Sequence, residues 1–184
     1  MNNIREPLLK KLNEKFSSSI ESVNDFRNET TIIIKKDSLL AISKFLRDDV
    51  ELAFDSLRDV TAVDNNGFLE HQTQYSHDVT IPQKIVDVFG GKRFQVVYNL
   101  YSMKNHFRVR IKVLLDDSEL IPSVESIWKS ANWYEREVFD MFGIKFEGHS
   151  DLRRMYLPED FEFHPLRKEF PLMGIPGSLP LPRH

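Results

Sequence analysis

At 184 residues, 41% of them hydrophobic, the chain is long enough for one domain that buries roughly two-thirds of its unfolded surface. A formal charge of −3 and a pI near 6.1 argue against nucleic acid as the main partner, since neutralising phosphates needs a clustered basic surface and the chain carries none. With no cysteine, it excludes a disulfide framework, thiol catalysis and a cysteine-ligated iron–sulfur cluster.

No apolar run is long enough to span a bilayer, and Met1 leads into a charged amphipathic segment rather than a secretory signal, so a soluble protein is expected. Ile4, Leu8, Leu12 and Phe16 recur every four residues and predict a helix from about 4 to 17. Thr30 to Lys36 is β-branched and reads as a strand, after which Asp37 should cap a helix through Leu39, Ile42, Phe45 and Leu46. Leu57 to Asp64 reads as a second strand ended by Asn65-Asn66-Gly67. Periodicity is weak from 68 to 91, where Pro82, Lys84 to Phe89 and Gly90-Gly91 suggest a short helix with a glycine stop.

The clearest hairpin follows. Phe94, Val96, Tyr98 and Leu100 alternate on one strand, and Phe107, Val109, Ile111 and Val113 on the next, joined across Ser102 to His106. Arg108, Arg110 and Lys112 line the opposite face of the second strand, and a solvated outer face is the expectation over a binding stripe. Pro122 then begins a short helix, Ser123 to Ser130. Asn132 with Glu135 has capping-box spacing, so a longer helix should begin at Trp133, with Tyr134, Val138, Met141 and Phe142 on its apolar face and Gly143 leaving it in a left-handed conformation.

The other side of this helix carries Glu137 and Asp140 with Arg136 beside them. The nearest partners for the carboxylates are Arg153 and Arg154, and beyond them lie His164, Arg167 and Lys168. Six of the nine prolines lie between Pro158 and Pro182, so no late segment can form a long regular element. Leu152, Met155, Tyr156, Phe161, Phe163, Leu166 and Phe170 are nevertheless too apolar for a disordered region, so the tail should lie on a surface, its own domain or, as expected here, a partner. The fold class is α+β: a small mixed or antiparallel sheet covered by helices, residues 1–148, with an extended proline-rich C-terminal interface tail, residues 149–184.

The run Trp133 to Arg154, with Glu135-Arg136-Glu137, Asp140 to Ile144, Gly148-His149 and Asp151-Leu152-Arg153-Arg154, followed by His164-Pro165-Leu166-Arg167-Lys168 and Phe170-Pro171-Leu172, resembles the C-type subunit of proton-translocating NADH:quinone oxidoreductase, respiratory complex I. Asp59 to Asp64 and Phe94 to Leu100 resemble its earlier strands, so the likeness runs from about residue 30. The resemblance implies a structural, non-catalytic subunit of the peripheral arm, seated beside the D-type subunit and near the B-type iron–sulfur subunit. It further implies that FMN, clusters and quinone are held by those partners, and that the chain meets the membrane only through them. The location would be the cytoplasmic side of a bacterial inner membrane, or the matrix side of a mitochondrial one. The signature residues Glu135, Arg136, Glu137, Asp140, Gly143, His149, Asp151, Leu152, Arg153, Arg154, His164, Pro165, Leu166, Arg167 and Lys168 are then expected to serve the partner interface. Departures from the family pattern are Ser150 in place of a proline, which should loosen that turn, an apparent insertion at 68–91, and an end at His184 where many members continue.

Two rivals stand beside this reading. A metal-dependent hydrolase would use Glu135, Glu137, Asp140, His149, Asp151 and His164, but there is no His-Glu-x-x-His pair, and the neighbouring arginines compete for the carboxylates. The equivalent component of a membrane-bound hydrogenase is separated only by its gene neighbours. There is no Gly-x-Ser-x-Gly elbow, and Gly90-Gly91 is no phosphate loop.

Overall fold

A computed structural model describes residues 4–66 and 91–171. The expected short helix at 82–89 and the apparent insertion lie almost wholly outside the described residues, as does the tail beyond Pro171. Helix α1 spans Arg5–Phe16 and inserts Leu8 and Leu12 into the core. Strands β1 (Ile20–Phe26) and β2 (Glu29–Ile34) form a hairpin turned by Arg27 and Asn28, both at positive φ. A one-turn 3₁₀ segment, Lys36–Ser38, leads into α2 (Leu39–Asp48), whose Leu39, Ile42 and Leu46 are buried. Asp37 lies inside that turn, and the helix start has no side-chain cap, so the expected Asp37 cap is not formed.

Strands β3 (Ser56–Asp64), β4 (Phe94–Ser102) and β5 (Phe107–Leu115) complete one five-stranded sheet of order β1-β2-β5-β4-β3. All neighbours are antiparallel except β2 and β5, which pair in parallel from Thr30 with Val109 to Ile34 with Val113. Sequence reading missed β1. A register shift between Ile20 and Ser22 breaks the period of two, and most of this edge strand is exposed, so alternation carries no signal there.

One sheet face, including Ile32, Val60, Val96, Tyr98 and Ile111, packs with the helices in a single apolar cluster. Two short parallel strands, β6 (Ile121–Pro122) and β7 (Phe146–Glu147), bracket the final helix α3 (Ala131–Phe142). The helix expected over Ser123 to Ser130 is instead a pair of turns, pinned where the Val124 carbonyl accepts the N–H groups of Ile127 and Trp128 and the Trp128 indole donates to the Phe54 carbonyl.

Candidate functional site

The last turn of an α-helix leaves four carbonyls without intrahelical donors, and a buried helix end must find them elsewhere. At the end of α3 the Phe139 carbonyl accepts the Gly143 N–H at 2.9 Å, a left-handed cap with Gly143 at φ +76°. The tail supplies the other three. His164 Nδ1 donates to the Asp140 carbonyl at 2.9 Å, the Leu166 N–H to Met141 at 3.1 Å and Arg167 Nε to Phe142 at 2.6 Å. Arg154 and Arg167 thereby place positive charge at the negative end of the helix dipole. A Cβ on Gly143 would lie 2.6 Å from His164 Nε2 and 2.9 Å from Arg167 Nη2, so the glycine is required for close approach as well as for backbone angle.

Asp140 is the centre of the joint. Its fully buried carboxylate accepts Arg154 Nη1 at 2.7 Å and three successive backbone N–H groups, those of Met155, Tyr156 and Leu157, at 3.0, 2.7 and 3.1 Å. Burial alone would raise this carboxyl, but those N–H groups and the guanidinium outweigh it and hold it below the usual range. Buried Arg136 adds two bonds, from Nε and Nη2 to the carbonyls of Arg153 and Arg154, both at 3.2 Å, while stacking on Trp133.

A second buried carboxylate, Asp64 at the end of β3, holds the far end of the tail by accepting the Lys168 N–H at 2.9 Å, with Arg93 Nη2 at 3.2 Å and the Asn66 N–H at 3.0 Å. Burial works against ionisation there too, but Arg93, Lys168 and Asn66 keep Asp64 ionised below its ordinary value. Arg93 also pairs with Asp117 and Glu169, and Arg167 reaches Asp117 at 3.3 Å. Nothing in the spacing pointed to Asp64, because it meets its partner 104 residues later in the chain.

The expected pairing of helix carboxylates with Arg153 and Arg154 is thus realised for Asp140 and Arg154 only. Among the described residues Glu137 makes no ion pair or side-chain hydrogen bond, and Arg153 pairs with Asp151 at 3.0 Å on the surface. The Asn132–Glu135 capping box is also not formed. Asn132 already lies inside the helix, and fully buried Glu135 instead ties α3 to the β6 bracket, accepting Ser123 Oγ at 2.6 Å and the Val124 N–H at 2.8 Å. Burial pushes Glu135 up to about 7, against the pull of those two bonds. His149 lies 4.0 Å from it, but its Nδ1 accepts the Asp151 N–H and its Nε2 donates to the Asn132 carbonyl at 3.0 Å. Ser150 does not loosen its turn: its N–H and hydroxyl donate to Glu125 at 3.0 and 2.8 Å, the first a bond that proline lacks the hydrogen to make.

The described tail therefore lies on its own domain, and what grips it is polar. Leu152 packs against the core, but Tyr156, Phe163 and Leu166 are 63%, 47% and 51% exposed, although the backbone beside each is fastened to the Asp140 joint. Pro165 sits between two anchored residues, His164 and Leu166, and Lys168 is held by its backbone N–H. Among the described residues no group of three or more His, Asp or Glu side chains is placed to hold a metal ion, and the Asp140 oxygens are already taken by N–H donors.

The class these features define is an α+β module, a mixed sheet under helices whose last helix is closed by its own tail. The same fold occurs in a chain of the membrane-bound sulfane sulfur reductase, an archaeal respiratory membrane complex, at a TM-score of 0.59 and 22% identity over 92% of this chain and 86% of that one. The family model described as the 30 Kd subunit of the respiratory-chain NADH dehydrogenase matches residues 32–176, and the chain belongs to that family. It is 42% identical over 165 residues to the C-type subunit of the NADH-quinone oxidoreductase of Geotalea uraniireducens, covering 89% of this chain and 86% of the relative. The same subunit from Geobacter metallireducens is 40% identical over 92% of this chain and 91% of its own length.

Proposed function

We propose that this chain is a structural subunit of the quinone-reducing module of a proton-translocating NADH:quinone oxidoreductase, and that the tail-capped end of α3 is its docking surface for the D-type subunit. One observation carries the reading. Polar anchors hold the tail from within, while Tyr156, Phe163 and Leu166 face outward from backbone fastened to one helix end. Exposed apolar side chains on a rigid support suit an obligate interface, because the ordering entropy of the segment has already been met by its own domain. Signature residues such as Asp140, Arg154 and His164 then serve the interface indirectly, by fixing the shape of the surface rather than by touching the neighbour.

In this reading the chain carries no cofactor and no catalytic group. FMN, iron–sulfur clusters and quinone belong to neighbouring subunits, the B-type subunit among them, and electrons from NADH pass to quinone without entering this chain. No helix among the described residues is long and apolar enough to cross a membrane, and attachment to the cytoplasmic face of the inner membrane would come through those neighbours.

Tagged full-length chain expressed in its native host tests this. The D-type and B-type subunits should be recovered in stoichiometric amounts by mass spectrometry, and the isolated chain should be colourless, metal-free and without NADH- or quinone-reducing activity. Stoichiometric metal in the pure chain, or purification without either subunit, would overturn the proposal.

A further inference from the structure

The sheet face opposite the helices carries a feature that the tail does not explain. At the β3 register shift between Leu57 and Asp59, Arg58 is the extra residue, and its guanidinium stacks on the ring of Tyr101 at 4.8 Å. Arg108, opposite Tyr101 on β5, approaches the same ring at 5.9 Å. Together they line an open groove of about 530 Å³ with Asn99, Arg110 and two carboxylates, Glu29 and Asp59, so three arginines face two acids and the lining keeps a net positive charge. The row Arg108, Arg110 and Lys112, expected to be simply solvated, therefore divides. Arg110 is committed to Asn99 at 3.2 Å and Glu29 at 2.9 Å, and Lys112 to Gln95 at 3.0 Å. Among the described residues Arg58 and Arg108 form no ion pair, whereas Arg93, Arg110, Arg154 and Arg167 each have a carboxylate within 3.3 Å.

We propose that the Arg58–Tyr101–Arg108 groove is a second docking site, which receives a carboxylate-bearing segment of a neighbouring protein subunit. Two guanidinium groups on one aromatic ring repel each other until an anion lies between them, and each presents a planar fork matched to a carboxylate. The ring fixes their planes in advance, so little side-chain freedom is lost when the acid arrives. Tyr and Arg are also the residue types that anchor protein interfaces. The groove lies open along the sheet and is lined by polar groups, unlike the enclosed apolar pockets that hold small ligands. Tyr101 stands seven residues along β4 from Phe94, beside which Arg93 and Asp64 anchor the far end of the tail, so this contact is about 23 Å along the strand from that anchor. The site rests on the reading of the chain as a member of an assembly, and it gives that assembly a second, charge-specific hold on the module.

The test is photo-cross-linking in the assembled complex, with a benzophenone amino acid in place of Met103, which is half exposed and accepts a hydrogen bond from Arg58. The expected product joins Met103 to a segment of another protein of the complex bearing at least two Asp or Glu residues. Its yield should fall at least tenfold in the R58E/R108E double variant and several-fold in R58K/R108K, because lysine keeps the charge but not the fork. Circular dichroism of the full-length variants controls for folding, and the lysine pair decides if the glutamate pair misfolds. Cross-linking to a segment without acidic residues, cross-linking back into this chain, no protein cross-link, or equal yield in the lysine variant each overturns the proposal while leaving the tail docking reading in place. A chain that co-purifies with no other protein of the complex overturns both.

Discussion

Asp140→Asn is the sharpest single perturbation of the joint. The substitution is nearly isosteric but removes the charge that faces Arg154 and three N–H groups in a fully buried position. The Arg154 side chain is only 11% exposed, so it loses its counter-ion without regaining much water. Breaking a buried pair in this way costs about 3–5 kcal/mol, and the amide must in addition turn an N–H₂ group toward donors or give up an acceptor. Against a total stability of roughly 5–15 kcal/mol this is a large share, and it should fall on the tail before the sheet. Hydrogen exchange in the full-length chain should show the amides of Met155, Tyr156 and Leu157 losing protection while β4 and β5 keep theirs. Urea unfolding should show a lower midpoint with a shallower slope, since a detached tail leaves less surface to expose. In a cycle with Arg154→Met the double variant should lose at least ~1.5 kcal/mol less than the sum of the singles. A loss under ~1 kcal/mol, or additivity within ~0.5 kcal/mol, would refute the assignment of Asp140 as the tail's anchor.

Other outcomes follow from the same geometry. Asp140 and Asp64 both titrate below their ordinary values in the folded chain, so their contribution is complete above the unfolded carboxylate value of about 4 and lost as pH falls through the folded values; tail-amide protection that showed no decline on acidification below about pH 4 would contradict this. Glu135 runs the other way: with a folded value of about 7 against about 4.3 unfolded, the folded state binds the extra proton and stability declines as pH rises between them, by ~4 kcal/mol. Glu135→Gln should therefore match the wild type near pH 4 and exceed it at pH 8, and a wild-type advantage at pH 8 in urea melts would count against buried Glu135 as the cause. Gly143→Ala should cost ~2 kcal/mol, from the left-handed backbone and the displacement of His164, with faster exchange at the Leu166 amide; unchanged exchange there would mean that the helix end does not hold the tail.

How legible all this was depended on whether the signal was local. The β4–β5 hairpin and the buried face of α3 announce themselves because alternation and a 3.6-residue period survive wherever one face is buried. Strand β1 does not, because a register shift and an exposed edge erase the period. Asn132 and Glu135 have the spacing of a capping box, yet Glu135 faces the core and spends its oxygens on Ser123 and Val124, a tertiary demand that spacing cannot reveal. The Asp140–Arg154 pair could be read from charge, but the three N–H groups beside it belong to backbone conformation, and the Asp64 anchor to a contact across 104 residues. The tail's apolar residues correctly suggested a surface; that polar groups hold it inward and leave Tyr156, Phe163 and Leu166 outward was visible only in three dimensions.

On the docking proposal, the tail is fastened from within so that its apolar side chains can face a neighbour. The direct measurement replaces Tyr156, Phe163 and Leu166 by serine together in the full-length chain, and compares amide protection at 155–157 and 166–168 with recovery of the D-type subunit after co-expression. Unchanged protection and loss of the D-type partner are expected; undiminished recovery, or a tail whose protection collapses with the three side chains, would refute the docking proposal.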